Sequence, residues 1–244
     1  MKEFKKIKNF IFDCDGVLYD DLEGVFGQVS KRMTEYISQK LDLSLEKAKE
    51  LQTNYFHKYN TSLNGLMIHH DIDPQEFLKY VHDINLDFLK KDLKLRKELI
   101  ELKTKKFVFT NGSHEHASNI TKTLGISDLF DGFFDITDCN FIPKPSIEPY
   151  KKLIDKFNIK PSETVFIEDI AINLEPAKKL GMKTVWLKNN EYWGKKDSDK
   201  KFVDLKIENP VSYTHLRAHE TPEHRGCRVC GEKKKGGGGG GGGG

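Results

Sequence analysis

Five short apolar runs punctuate the chain, and each ends on polar residues. IKNFIF (Ile7 to Phe12) runs into acidic residues and Gly16; KFVFT (Lys106 to Thr110), GFFDIT (Gly132 to Thr137), TVFIED (Thr164 to Asp169) and KTVWL (Lys183 to Leu187) follow the same form. Runs this short, rich in aromatic and β-branched residues, read as buried parallel strands. Helical periodicity fills the intervals in SHEHASNITKTLG, SIEPYKKLIDKFN and INLEPAKKLG. The alternation predicts right-handed βαβ crossovers and an α/β fold, a doubly wound parallel sheet of Rossmann-like type. Polar residues at the strand carboxyl ends then converge on one crevice.

One block breaks the alternation. From about Leu22 to Leu89 apolar residues recur at three and four spacings, as in GVFGQVSKRMTEYISQKL and SLEKAKELQTNYFHKY. That pattern predicts helices throughout. Inserted after the first strand, they are expected to form a small helical cap over the crevice. The expected organisation is a catalytic core from residues 1–21 and 90–209, a cap from 22–89, and a separate tail from 210–244.

Charge and cysteine usage narrow the setting. The chain has 244 residues, long enough to bury a substantial core, and a formal net charge of +3. The body before Val211 holds 34 basic and 34 acidic residues, so the excess belongs to the tail and gives no reason to expect a nucleic-acid partner. Its only arginines are Arg32 and Arg96, whereas the short tail adds Arg217, Arg225 and Arg228. That shift marks a boundary. Of the cysteines Cys14, Cys139, Cys227 and Cys230, only the last two are spaced as a pair, so no oxidised framework is indicated. The opening MKEFKKIKNFIF is interrupted by Asp13 and Asp15 before it could serve as a signal or a membrane span. A cytoplasmic protein without a membrane partner is the expectation.

The chemistry gathers at the strand ends. DCDGVLYDD places Asp13 and Asp15 two residues apart, on one side of an extended backbone, and Gly16 lets the chain turn at once. A lone pair of this kind is also what an acidic turn or helix cap looks like. Thr110 is followed by Asn111, Gly112 and Ser113 at a helix start, where a hydroxyl and backbone amides can hold an anionic oxygen. Lys144 lies between Pro143 and Pro145, and TVFIED closes on Glu168 and Asp169. In this order, at the ends of successive strands, these residues compose a phosphoryl-transfer site.

The same four motifs, DxDGxLY, TNGS, the KP lysine and the ED pair, resemble those of the haloacid dehalogenase-like hydrolases with a helical cap after the first strand. The resemblance runs from about Ile7 to about Leu187. It implies Asp13 as a nucleophile forming an aspartyl phosphate, Asp15 as acid and then base, and Thr110 and Lys144 on the phosphate oxygens. It further implies Mg²⁺ held by Asp13, the Asp15 backbone carbonyl and Asp169, with Glu168 as a neighbouring or alternative ligand. Asp15 argues against carbon–halogen cleavage, which leaves no alkoxide to protonate. Ile170 and Ile172 stand where many relatives carry a polar residue and an arginine.

A narrower resemblance joins YFHKYNTSLNGLMIHHDIDPQEFLKYVHDINL, FVFTNGSHEHA and IEDIAINLEPAKKLGMKTVWL to bacterial pyrimidine 5'-nucleotidases. It implies a small phosphorylated metabolite, a nucleoside monophosphate such as UMP or CMP, as the molecule bound. Asn111 and Gly112 would line its phosphate, and Tyr55, His57, Tyr59 and Thr61 would meet base and ribose. Cap aromatics serve equally well as packing residues, and a sugar-phosphate or phosphoglycolate-type phosphatase shares the core motifs. His69, His70, Asp71 and Asp73 read as a solvated helix end; His82 with Asp83, and His114 with His116, read as structural or exposed; Cys14 reads as a buried strand residue.

The tail carries HETPEHRGCRVC followed by EKKK and glycine alone. Cys227 and Cys230 with His219 and His224 imitate half of a zinc site but have no second pair. VSYTHLRAHET (Val211 to Thr221) is instead similar to the translation of a transposase-type sequencing adapter. The natural reading frame is therefore expected to give way near Asn209. Polyglycine buries no apolar surface, so the tail is expected to be disordered.

Overall fold

The structure, a computed structural model, describes residues 6–19, 22–189 and 191–208. The 210–244 tail, with its cysteine pair and the expectations attached to it, lies outside the described residues. The strands are β1 (Asn9–Phe12), β2 (Lys105–Phe109), β3 (Gly132–Phe134), β4 (Thr164–Glu168), β5 (Lys183–Leu187) and β6 (Leu205–Ile207). They form one parallel sheet in the order β3-β2-β1-β4-β5-β6. β1 is central, with Phe12 opposite Val108 on one side and Ile167 on the other. The chain leaves β1 for β2 and returns across it to β4, so the β1 carboxyl end is the switch point where a crevice opens.

The period of two sorts each strand between two apolar layers. Ile11, Phe107, Phe109, Phe166 and Trp186 enter one cluster, and Phe10, Phe12, Val108, Val165, Ile167 and Val185 enter the other. Burial on both faces is why these strands read as continuous apolar runs. GFFDIT departs from expectation: the strand stops at Phe134, because Asp135 accepts the Thr137 N–H and starts a short 3₁₀ turn. β6 was not among the expected strands, being three residues long with exposed Lys206 in its centre.

Between β1 and β2 the chain forms α1 (Leu22–Leu41), α2 (Leu45–Tyr59), α3 (Ser62–His70), α4 (Pro74–Val81) and α5 (Leu93–Glu101). Ser44, Thr61, Asp73 and Asp92 cap four of these helices by accepting backbone N–H groups of the first turn. Tyr36, Ile37, Leu63, Leu66 and Phe77 are buried among the first four. α5 instead sets Leu95 and Leu99 against Phe10 and Phe12 beneath the sheet. After β2 come α6 (His114–Thr123), α7 (Ile147–Phe157), α8 (Leu174–Lys179) and α9 (Tyr192–Lys195).

The α2–α3 contact depends on Gly65, because a Cβ there would overlap the Tyr55 ring. Gly65→Ala is expected to destabilise the protein by about 1–3 kcal/mol through overpacking. Urea unfolding should register this as a lower midpoint at unchanged slope; an unchanged midpoint would mean α2 and α3 pack differently.

Candidate active site

Asp13 is the first residue beyond β1 and continues its ladder, donating its N–H to the Ile167 carbonyl at 3.0 Å. Its Oδ1 accepts the Cys14 N–H at 2.8 Å and lies 3.0 Å from Lys144 Nζ. Lys144 is 1 % exposed and also donates to Glu168 Oε2 at 2.7 Å and to the Phe109 carbonyl at 3.0 Å. An ammonium has three donors, and all three are therefore taken by the protein. Lys144 thus holds the Asp13 carboxylate and offsets its charge. The rings of Phe109 and Phe166 lie 5.0 and 5.6 Å from the same ammonium.

Asn111 is likewise occupied. Its Oδ1 accepts the Lys144 N–H at 2.8 Å and its Nδ2 donates to the Lys144 carbonyl at 3.4 Å, so this side chain clamps the lysine backbone. The Lys144–Pro145 peptide beside it is cis. Thr110 is buried at the end of β2, and its hydroxyl accepts the Gly112 N–H at 2.9 Å. Accepting that bond leaves the hydroxyl proton to donate toward the crevice.

Asp13, Glu168 and Asp169 bring carboxylate oxygens within 4.8 Å of one another, and all three residues are buried. Glu168 Oε1 accepts the Asn173 amide at 3.1 Å, while Asp169 Oδ2 accepts the Asn189 amide at 3.0 Å. Trp186 Nε1 fixes the Asp169 carbonyl at 2.7 Å. Burial, and then the Asp13 charge, push Asp169 up to about 7, and the same causes raise Glu168 well above the carboxylate range. Fully ionised, three carboxylates beside one ammonium would carry two unbalanced negative charges, which is the repulsion that raises Glu168 and Asp169. An all-oxygen donor set with that deficit fits a hard dication such as Mg²⁺.

Asp15 lies beside the crevice, with Gly16 at φ 75° turning the chain behind it. Its Oδ1 accepts two hydrogen bonds, from Tyr19 Oη at 2.5 Å and from His116 Nε2 at 2.8 Å. Burial opposes ionisation of Asp15, yet the His116 charge and hydrogen bond, with Tyr19, hold its carboxyl below the ordinary carboxylate range. Burial opposes protonation of His116 too, and Asp15 outweighs it to lift that imidazole. His82 stacks on His116 at 4.3 Å between ring centroids; burial and that neighbour push it down to about 3. His116 and His82 fit the structural half of their reading, His116 bonded to Asp15 and His82 stacked on His116. His114 fits the other half, being exposed and 3.8 Å from Asp135.

Above the strand ends opens a cavity of about 480 Å³. Asp13, Asp15, Thr110 and Asp169 form part of its lining, and so do Asn111 and Gly112. Of the four residues of the inserted segment expected there, His57 and Thr61 reach the wall. Tyr55 and Tyr59 do not: one helical turn apart, they pack on each other and on α3, bonded to His70 and His69. The Thr61 hydroxyl accepts the Asn64 N–H and keeps its proton to donate. The aromatic wall consists of Phe56 and Trp193, with Phe26 beside them; Trp193 lies 5.8 Å from Phe56 and 6.5 Å from Phe26. Ile170 and Ile172 line the wall next to the acidic group. Cys14 is fully buried, and burial pushes its thiol up, as suits a packing residue.

A sequence model of the haloacid dehalogenase-like hydrolases matches residues 7–181. The chain belongs to the haloacid dehalogenase-like hydrolases. The hydrolase is 32 % identical over 196 residues to phosphate metabolism protein 8 of Saccharomyces cerevisiae, covering 72 % of this chain and 60 % of that protein. It is 25 % identical over 203 residues to glyceraldehyde 3-phosphate phosphatase of Pyrococcus furiosus, covering 77 % and 83 %. Its fold matches the crystal structure of a HAD phosphatase from Thermococcus onnurineus with a TM-score of 0.58 at 20 % identity, over 89 % of this chain and 99 % of that one. Among the described residues of the hydrolase, no helix is long and apolar enough to cross a membrane.

The charge deficit of the hydrolase's acidic group makes a simple prediction. Mg²⁺ is expected to raise the thermal midpoint, by about 2.7 kcal/mol of stability at a hundredfold excess over Kd. Asp169→Asn should shrink that shift. An equal Mg²⁺ effect in both proteins, followed by scanning calorimetry, would place the ion elsewhere.

Proposed function

We propose that this hydrolase is a Mg²⁺-dependent phosphomonoesterase that releases phosphate from pyrimidine nucleoside 5'-monophosphates. The observation that carries the reaction class is the Asp13 carboxylate, held at the central strand end by Lys144 and faced by Asp15. Asp13 attacks phosphorus in line and the bond from phosphorus to the ester oxygen breaks; Asp15, ionised beside His116 until a proton reaches it with the anionic substrate, gives that proton to the leaving oxygen. Asp15 then takes a proton from water as it attacks the aspartyl phosphate, and the Asp13 carboxylate and inorganic phosphate are released. Thr110 donates to a phosphate oxygen throughout. Asp13, Asp169 and Glu168, with the Asp15 carbonyl, are the groups that would hold the dication, which neutralises phosphate charge.

The leaving group is read from the cavity. A volume of about 480 Å³ accommodates a nucleoside, and Phe56 with Trp193 offers faces for a flat base. His57 and the helix start at Thr61 supply polar groups nearby. The relation to glyceraldehyde 3-phosphate phosphatase supports a second reading, a sugar-phosphate substrate bound through the same motifs.

A panel of UMP, CMP, AMP, ribose 5-phosphate and glyceraldehyde 3-phosphate separates the two. The first reading expects the highest kcat/KM on UMP and CMP. Stacking on a base is worth about 1–3 kcal/mol, so Trp193→Ala should lower kcat/KM on UMP by about tenfold or more and leave ribose 5-phosphate little changed. Equal losses on both, or preference for a sugar phosphate in the parent protein, would discard the nucleotide.

A further inference from the structure

We propose that His116 is a positioning residue for Asp15, and that His82 braces it from the inserted helices. The inference rests on the reading of Asp15 as proton donor and acceptor. Among the described residues, the two hydrogen bonds given to the Asp15 carboxyl, from Tyr19 at 2.5 Å and His116 at 2.8 Å, converge on Oδ1. Proton transfer to the ester oxygen therefore falls to Oδ2. A carboxyl tied by one oxygen to two protein donors has a fixed plane, and general acid catalysis depends on that plane reaching the leaving oxygen.

His116 is suited to hold it because it is itself held. It is 3 % exposed, on the first turn of α6, directly after the strand end that carries Thr110. The His82 ring lies nearly parallel on it, at 4.3 Å and 18°, and His82 Nδ1 is 2.9 Å from Ser113 Oγ. Ser113 caps α6 through the His116 N–H, and His82 ends α4. The ring pair thus joins the inserted helices to the turn after β2 at the point where Asp15 is bonded. Gly112 leaves room for it: a Cβ there would stand 3.3 Å from His116 Cδ2 and 3.7 Å from His82 Cε1.

The test compares kcat/KM, which covers the steps up to loss of the leaving group, on p-nitrophenyl phosphate and UMP. Nitrophenolate leaves without a proton, whereas an alkoxide needs one. His116→Ala is expected to lower kcat/KM about 100-fold on UMP and less than about fivefold on p-nitrophenyl phosphate. Because Asp15 must also activate water, the variant should show a burst of nitrophenol as the phosphorylated enzyme accumulates. His116→Gln keeps a donor near the Nε2 position and should recover at least about tenfold on UMP; it also serves if the alanine variant does not fold. His82→Ala should show a smaller loss of the same selectivity. Parallel losses on the two esters, or none, would overturn the proposal. A parent protein that hydrolyses neither ester would instead overturn the phosphatase reading.

Discussion

Asp13→Asn is expected to abolish turnover, with a fall of at least about 10⁴-fold, while making the metal-free protein more stable. The amide cannot attack phosphorus, and no neighbouring carboxylate shares its position at the end of β1. Stability moves the other way because Asp13 is one of three buried carboxylates facing a single ammonium. Removing one charge relieves the repulsion that raises Glu168 and Asp169. A nucleophile placed in excess negative charge is a site where function is maintained against stability. Phosphate release and thermal unfolding of the same preparation check both halves. Persistent Mg²⁺-dependent hydrolysis would refute the assignment of Asp13, and a large fall in the metal-free midpoint would refute the charge argument.

Lys144→Met should have the opposite effect on stability. The methionine fills a similar volume between Phe109 and Phe166 but leaves Asp13 and Glu168 without their shared cation. Breaking a buried ion pair from one side costs about 3–5 kcal/mol. A loss of that size is expected in urea unfolding without metal. Adding Glu168→Gln should restore part of it, because the second change removes one of the two orphaned charges and the pair is coupled. Additive losses in the double variant would show that Lys144 and Glu168 act independently. Activity should be absent from Lys144→Met with or without Mg²⁺, since the carboxylate orientation is lost.

Much of this was legible in the sequence, for identifiable reasons. The strands buried on both faces announce themselves as apolar runs, and Asp13, Thr110, Glu168 and Asp169 stand at or just beyond the ends of β1, β2 and β4. Chain order and topology therefore bring them together. Side-chain direction was less accessible. Tyr55 and Phe56 are adjacent, and helical periodicity does not say which of the two turns to the cavity; the buried contact with Gly65 takes Tyr55 away from it. Trp193 meets Phe26 and Phe56 across long stretches of chain, where no local signal exists. Lys144 was recognised, but its three bonds to the protein follow from packing beneath Phe109 and not from its motif. For His116 a cue was present: it lies on the first turn of a helix leaving a strand end, a position that faces back into the crevice. His114 in the same turn is exposed, so residue type alone did not separate them.

The central claim is that a phosphoryl group passes through Asp13. Rapid acid quenching of the enzyme during turnover, with borohydride trapping and mass analysis of its peptides, tests this most directly. The account predicts modification of the peptide containing Asp13, at that residue, in the presence of Mg²⁺ and substrate together. Modification at another residue, or steady phosphate release with Asp13 never modified, would contradict it.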